Sequence, residues 1–109
     1  MFCARQSPLM AAAHGGHTAA VRALLAHRTP PPKLDAWDEN GETALLIAAR
    51  GNQTAIVRAL LAAKPKPADP NRVSERGQTA LIMAAHFDHT QVVEALLDSK
   101  ATKINLQVP

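Results

Sequence analysis

The chain has 109 residues, of which 47% are apolar but only 3% aromatic, so alanine and leucine must form most of a small core. Its formal charge of +3 falls short of the clustered positive surface of a nucleic-acid-binding domain, and we expect no nucleic acid partner. A single cysteine, Cys3, excludes an intrachain disulfide. The longest apolar runs are too short to span a bilayer, and no basic segment followed by an apolar run marks a secretory signal. We therefore expect no membrane insertion and a cytoplasmic location, with the nucleus as the alternative.

A unit of about 36 residues occurs three times along the chain. The pairs Leu24-Leu25, Leu60-Leu61 and Leu96-Leu97 recur at this spacing. Segments 39–61 and 75–97 are identical at 12 of 23 positions without a gap, which indicates internal duplication. We predict a single domain spanning 1–109, with repeat 1 at about 4–38, repeat 2 at about 39–74, repeat 3 at about 75–105 and a tail at 106–109.

Each unit is predicted to form two helices joined by a short break. Unit one has no preceding turn, so it begins directly at its first helix, near Ser7-Pro8-Leu9. Units two and three open on turns that contain a glycine, and Thr43 and Thr79 are placed to N-cap the helix that follows. First helices are predicted at about 44–50 and 80–86, and second helices, each preceded by a threonine (Thr18, Thr54, Thr90), at about 19–27, 55–63 and 91–99. Prolines within 29–38 and 64–74 then end the second helices.

One such unit cannot bury its apolar face alone, whereas stacked units bury a continuous seam. The sequence therefore predicts an all-α solenoid of three stacked helix–turn–helix repeats. At this point the pattern resembles the ankyrin repeat over about residues 4–105. The segments that carry the resemblance are Gly41-Glu42-Thr43-Ala44-Leu45, Gly77-Gln78-Thr79-Ala80-Leu81, Gly16-His17, Val92-Val93-Glu94-Ala95-Leu96-Leu97 and Ala68-Asp69-Pro70-Asn71. The resemblance implies a protein-binding module rather than an enzyme.

The chain departs from the ankyrin pattern in ways that affect packing. Met10, Leu46 and Ile82 replace the family histidine that stabilises the turn, so apolar packing must compensate. The period is 36 residues rather than about 33, which lengthens the return loops of units one and two. Because no polar capping repeats are evident, we expect Leu9, Met10 or Leu96 to be unusually exposed.

Histidines are the first candidates for chemistry. His14 and His17 are three residues apart, as are His86 and His89, and such pairs can hold a metal ion. A metal-dependent or catalytic function would use His14, His17 and Cys3. The structural interpretation is that His17 and His89 occupy the family's turn-histidine position, with His14 and His86 exposed at the ends of the inner helices. We favour that interpretation and expect no catalytic residue, no metal and no cofactor.

The charged residues have a simple interpretation as solvated surface. The acids Asp35, Asp38, Glu39, Glu42, Glu75 and Asp88 fall in turns, where nothing pairs two of them in a sheltered cleft. The basic residues Arg22, Arg28, Lys33, Arg58, Lys64, Lys66, Arg72, Lys100 and Lys103 could form a stripe beside the second helices and return loops. Without interleaved aromatic residues, such a stripe is typical of a solvated face.

A partner-binding surface follows from the resemblance, because ankyrin repeats bind proteins with their turn tips and the groove of the inner helices. Carried over position by position, this surface contains Trp37, Glu39, Asn40, Glu42, Arg50, Val73, Glu75, Arg76, Gln78, His86 and Phe87. Phe87 is interpreted as an interface anchor. Trp37 has two open interpretations: an interface anchor, or a shield folded over the Pro-rich return loop.

The leading hypothesis is a monomeric, non-enzymatic adaptor or scaffold that binds a protein partner. A second hypothesis is the metal-dependent or catalytic protein described above. A third is a segment of a longer ankyrin array with an architectural role, in which the end faces bind neighbouring repeats.

Overall fold

The computed structural model describes residues 7–26, 34–63 and 67–99. These ranges contain six helices joined by turns and loops. In chain order they are α1 (Pro8–Gly15), α2 (Thr18–Ala26), α3 (Ala44–Arg50), α4 (Thr54–Leu61), α5 (Ala80–His86) and α6 (Thr90–Asp98). No strand occurs in these ranges, and the predicted all-helical repeat architecture is confirmed. Cys3, the prolines at 30–32 and 65, and the tail lie outside the described residues.

The inner helices α1, α3 and α5 begin where a hydroxyl side chain can cap them. Ser7 Oγ accepts a hydrogen bond from the amide of Met10 at 3.1 Å. Thr43 and Thr79 do the same for Leu46 and Ile82 at 3.3 and 3.2 Å. Each bond satisfies one of the amides that a helix N-terminus leaves unpaired. The predicted caps and the predicted ranges of α3 and α5 are therefore confirmed.

The outer helices α2, α4 and α6 begin slightly earlier than the sequence predicted. Thr18, Thr54 and Thr90 are the first residues of these helices rather than the residues before them. Gln53 and His89 occupy the N-cap positions of α4 and α6, and neither side chain caps the helix. α4 also ends at Leu61, two residues before the predicted end.

The break between the two helices of each unit is built the same way three times. Gly16, Asn52 and Asp88 have positive φ angles of 69°, 59° and 58°. Among residues with a side chain, Asn and Asp tolerate this left-handed conformation best. The amide of the next residue then donates to a carbonyl five residues back, which satisfies the helix C-terminus and turns the chain into the outer helix.

The core is a continuous seam between the two layers of helices. Each inner helix packs against the next one and against the outer helix of its own unit, and the outer helices pack in the same order. α3, in the middle, is buried at every residue from Ala44 to Ala49. Met10 and Leu46 are buried and Ile82 half-buried, so apolar packing does occupy the position of the family histidine.

The expectation that Leu9, Met10 or Leu96 would be exposed is wrong. All three are buried in the core. Leu96 is 0% exposed and belongs to the core cluster, whereas Leu97 is 47% exposed. None of the helices in the described ranges is long and apolar enough to cross a bilayer.

Candidate functional site

The turns that precede α3 and α5 are small closed loops with the same hydrogen bonds. The amide of Gly41 donates to the carbonyl oxygen of Asp38 at 3.0 Å, and the amide of Asp38 donates to that of Glu42 at 3.0 Å. In the next unit, the amide of Gly77 donates to the carbonyl oxygen of Ser74 at 2.8 Å, and the amide of Ser74 donates to the carbonyl oxygen of Gln78 at 3.0 Å. A positive φ at the glycine closes each loop.

Asp38 and Glu42 are not the solvated turn acids that the sequence suggested. Both are buried. Asp38 Oδ1 accepts hydrogen bonds from the amides of Asn40 and Glu42 at 2.9 and 3.0 Å, which fixes the shape of the turn. The hydroxyl of Ser74 has the equivalent role in the next turn, at 3.2 and 3.4 Å from the amides of Arg76 and Gln78.

The two turns pair with each other across the repeat boundary. The amide of Glu75 donates to the carbonyl oxygen of Asn40 at 3.0 Å. A Cβ atom on Gly41 would lie 2.8 Å from the backbone nitrogen of Glu75, so the close approach of the two turns requires glycine at this position. The amide of Asp69 also donates to Asp35 Oδ1 at 3.0 Å. These bonds hold the turn tips in register.

Two cavities lie beside the paired turns, and each predicted binding residue lines at least one of them. The inner groove, about 410 Å³, is lined by Asn40, Glu42, Arg50, Ser74, Glu75, Arg76, Gln78, Met83, His86 and Phe87. The turn cavity, about 430 Å³, is lined by Asp35, Trp37, Asp38, Glu39, Gly41, Thr43, Arg72, Val73, Ser74 and Glu75. Ser74 and Glu75 line both, whereas in the first turn Asp38 and Glu39 line only the turn cavity and Asn40 and Glu42 only the groove.

Arg50 is held at two points in the inner groove. Its Nη2 lies 2.7 Å from Glu42 Oε1, and the Glu42 side chain is only 10% exposed while that of Arg50 is 42% exposed. The ring N–H at His89 Nε2 donates to the carbonyl oxygen of Arg50 at 3.1 Å. One end of the guanidinium is thus tied to a buried acid, and much of the side chain faces the groove.

Phe87 stands at the end of the inner groove and is 50% exposed. Its ring meets the His86 ring edge to face, with centroids 4.9 Å apart, and stacks on the His89 ring at 5.8 Å. Such contacts orient an aromatic side chain. At the equivalent position of unit two, Gly51 has a negative φ and room for a Cβ atom, which explains why a phenylalanine fits here.

The histidines of the two pairs lie in different surroundings. A Cβ atom on Gly15 would lie 2.5 Å from atoms of the His17 ring, so that ring packs over the end of its own inner helix. His14 is exposed, while His86 and His89 flank Phe87. In the described ranges, no group of three or more His, Cys, Asp or Glu side chains could hold a metal ion.

Trp37 is half-buried and forms part of the wall of the turn cavity. This position agrees with parts of both interpretations, since one portion of the side chain is covered and the rest faces an open cavity.

Two arginines of the predicted basic stripe form ion pairs. Arg58 pairs with Asp98 at 3.5 Å and Arg72 with Asp69 at 3.9 Å. Arg28, Lys33, Lys64, Lys66, Lys100 and Lys103 lie outside the described residues.

His17, Gln53 and His89 occupy equivalent positions in the three units. The sequence did not predict that side chains at this position make contacts across repeat boundaries. The Gln53 side chain contacts Gly16 of unit one, since a Cβ atom there would lie 2.8 Å from Gln53 Nε2. His89 reaches Arg50 of unit two in the same way. The signal was present in the sequence: a long polar side chain recurs every 36 residues directly before the threonine that opens each outer helix.

Two layers of helices with paired turns define a helical repeat solenoid, and comparison with known proteins identifies its family. The family described as "Ankyrin repeats (3 copies)" matches residues 3–73 and again residues 33–108. The chain therefore belongs to the ankyrin repeat family. Ankyrin repeats generally mediate protein–protein interactions, and their fold is typically non-catalytic.

A similar solved chain belongs to the structure of a predatory endopeptidase from Bdellovibrio bacteriovorus in complex with an immunity protein. Its TM-score is 0.78 and its sequence identity 31%, over 96% of this chain and 51% of that chain. The present chain thus spans about half the length of that solved chain. No curated protein sequence matches.

Proposed function

We propose that this chain is a non-enzymatic adaptor or scaffold that binds a protein partner through the inner groove and the turn tips. The observation that carries the proposal is Phe87, which is half exposed yet held by the rings of His86 and His89. Oriented aromatic residues of this kind, beside arginine, are the side chains that contribute most to protein interfaces. The similar chain described above comes from a protein–protein complex, which supports the same function.

The polar part of the inner groove supports the same proposal. Arg50 is oriented by Glu42 and by the bond from His89 to its carbonyl oxygen, so a partner would meet a guanidinium whose position is already set. Pre-orientation lowers the entropy that binding must overcome. We also propose a cytoplasmic location, because the fold of this chain requires no disulfide.

The test is affinity capture from an extract of the source organism with matched variants. Phe87→Ala and Leu97→Ala remove exposed side chains of similar exposure, 50% and 47%, on different faces of the same unit. We expect Phe87→Ala to reduce retention of the captured protein at least about tenfold, with thermal unfolding nearly unchanged. Leu97→Ala should retain the partner. Equal retention by wild type and Phe87→Ala would overturn the assignment of the groove.

A second candidate is the architectural role, and the end of unit three favours it. Leu97 is 47% exposed whereas its equivalent Leu61 is half-buried, and Ile82 is more exposed than Leu46, so apolar side chains on that side could pack against a further unit. Light scattering tests this role. A concentration-dependent dimer that Leu97→Ala abolishes would support it, whereas a monomer at all concentrations would count against it.

A further inference from the structure

We propose that the turn cavity binds a lysine or arginine side chain from a basic segment of the protein partner. This inference rests on the proposed function, since it names the chemistry of the partner at one part of the binding surface. The shape of the cavity, its charge and its contrast with the inner groove all favour such a side chain.

The walls of the turn cavity fit a long side chain with an apolar stem. Trp37 forms one wall, and Val73, which is 44% exposed, forms another. Lysine and arginine bury their methylene groups against apolar surface while their charged ends remain polar. A cation near the face of a tryptophan is also attracted by the negative face of the ring.

The charge of the cavity selects a cation. Among the described residues, Asp35, Asp38, Glu39 and Glu75 line it together with Arg72, so the described lining has four carboxylates and one guanidinium, a formal charge of −3. The chain as a whole has the opposite sign, +3. Arg72 moreover pairs with Asp69, whose Oδ2 lies 3.9 Å from Arg72 Nε. Asp69 does not line the cavity.

Two of these acids are fixed in place. Asp35 Oδ1 accepts the amide of Asp69, and Asp38 Oδ1 accepts two amides of its own turn. Glu39 and Glu75 are exposed at the rim, and neither has an ion pair with another described residue. The fixed acids therefore set a negative floor, and the two glutamates can close over an incoming cation.

The inner groove offers a contrast on the other side of the same turns. Its two acids, Glu42 and Glu75, are balanced by Arg50 and Arg76 among the described residues that line it, so its formal charge is zero. A basic segment should therefore prefer the turn cavity.

Trp37 provides the measurement, because it is the only tryptophan of a chain without tyrosine. We would titrate the full chain with a capped tetra-arginine peptide and follow tryptophan fluorescence. A saturable change is expected, and it should weaken as salt is added, since charges exposed to solvent are screened. Capped tetra-glutamate and tetra-alanine peptides should cause no saturable change. A similar response to either of them, or none to tetra-arginine, would overturn the proposal.

Matched variants locate the response. Glu75→Gln should weaken tetra-arginine binding about two- to fivefold and the Glu39→Gln/Glu75→Gln double variant about five- to tenfold, as for exposed ion pairs. Glu94→Gln removes the same charge as Glu75→Gln but lies on the exposed face of α6, so it should leave binding unchanged. Equal effects of Glu75→Gln and Glu94→Gln would show only nonspecific attraction and refute the site.

The outcomes also separate this inference from the proposed function. If protein capture succeeds and tetra-arginine does not bind, this inference fails alone. If tetra-arginine binds and no protein is captured, the proposed function fails.

Discussion

The inner groove and the turn cavity share one backbone and differ in chemistry. Both lie against the turns that the bond from Glu75 to Asn40 holds together, and different residues of the first turn line each of them, Asp38 and Glu39 the cavity and Asn40 and Glu42 the groove. In the groove, the buried Glu42 is neutralised by Arg50. In the cavity, the acids outnumber Arg72. The difference shows that a single pair of turns can carry two surfaces of different charge.

The largest expected effect comes from breaking the pairing on which both surfaces depend. Gly41→Ala should lower the free energy of unfolding by ~2 kcal/mol, roughly 10 °C in Tm. Position 41 has a φ of 72°, and a Cβ atom would meet the backbone nitrogen of Glu75 at 2.8 Å. Thermal and urea unfolding measure the change.

Gly51→Ala is the matched control for that experiment. Its φ is −86° and a Cβ atom would lie 3.4 Å from its nearest neighbour, an ordinary contact. We expect stability to stay within about 0.5 kcal/mol of wild type or to rise slightly. If both variants lose the same stability, the paired turns are not the feature that Gly41 protects.

A smaller effect should follow from removing the guanidinium of the inner groove. Arg50→Met keeps most of the aliphatic stem but leaves the mostly buried Glu42 carboxylate without its ion partner. The expected loss is about 1–2 kcal/mol, between the values for exposed and buried pairs, because Arg50 itself is partly solvated.

The double variant Arg50→Met/Glu42→Gln separates the ion pair from other effects of the substitution. Since it removes both charges, it should recover part of the stability that Arg50→Met loses. A double variant as unstable as the sum of the two single ones would mean that the two residues do not interact. Chemical unfolding of the four proteins provides the measurement.

The smallest effect should come from a pair that belongs to neither surface. Arg58 on α4 and Asp98 on α6 are 3.5 Å apart, with side chains 53% and 71% exposed. Asp98→Asn should change the free energy of unfolding by less than about 0.5 kcal/mol, because solvent screens such pairs. A loss comparable to that of Arg50→Met would show that the outer helices depend on this bridge.

Much of the fold could be predicted from the sequence because it depends on local rules. Thr43 and Thr79 cap their helices as predicted, since a hydroxyl three residues before an unpaired amide needs no tertiary contact. The prediction that Leu9 and Leu96 would be exposed was wrong because burial depends on tertiary packing rather than on local rules. Whether Leu96 or Leu97 faces the core depends on how α6 sits against α5, which a repeated Leu-Leu pair does not specify.

The binding surface remains a prediction, and the sequence did not indicate that its residues would be divided between two cavities. The eleven positions fall on two cavities rather than one surface, and Asp38 and Glu42 are buried rather than solvated. The burial of Asp38 and the division into two cavities both depend on how the two turns are folded and paired. The bonds that Asp38 accepts and the positive φ of Gly41 set that shape.

The sequence by itself determined the three units, the inner-helix caps and the breaks at Gly16, Asn52 and Asp88. The units are visible in the sequence because the same residues recur every 36 positions, and both side-chain hydroxyls and tolerance of positive φ act within a few residues. Only the tertiary structure decided which groups meet across repeat boundaries. His89 bonds to a carbonyl 39 positions away and Asp69 to a carboxylate 34 positions away. Such contacts form when the units stack, because stacking brings equivalent positions of neighbouring repeats together.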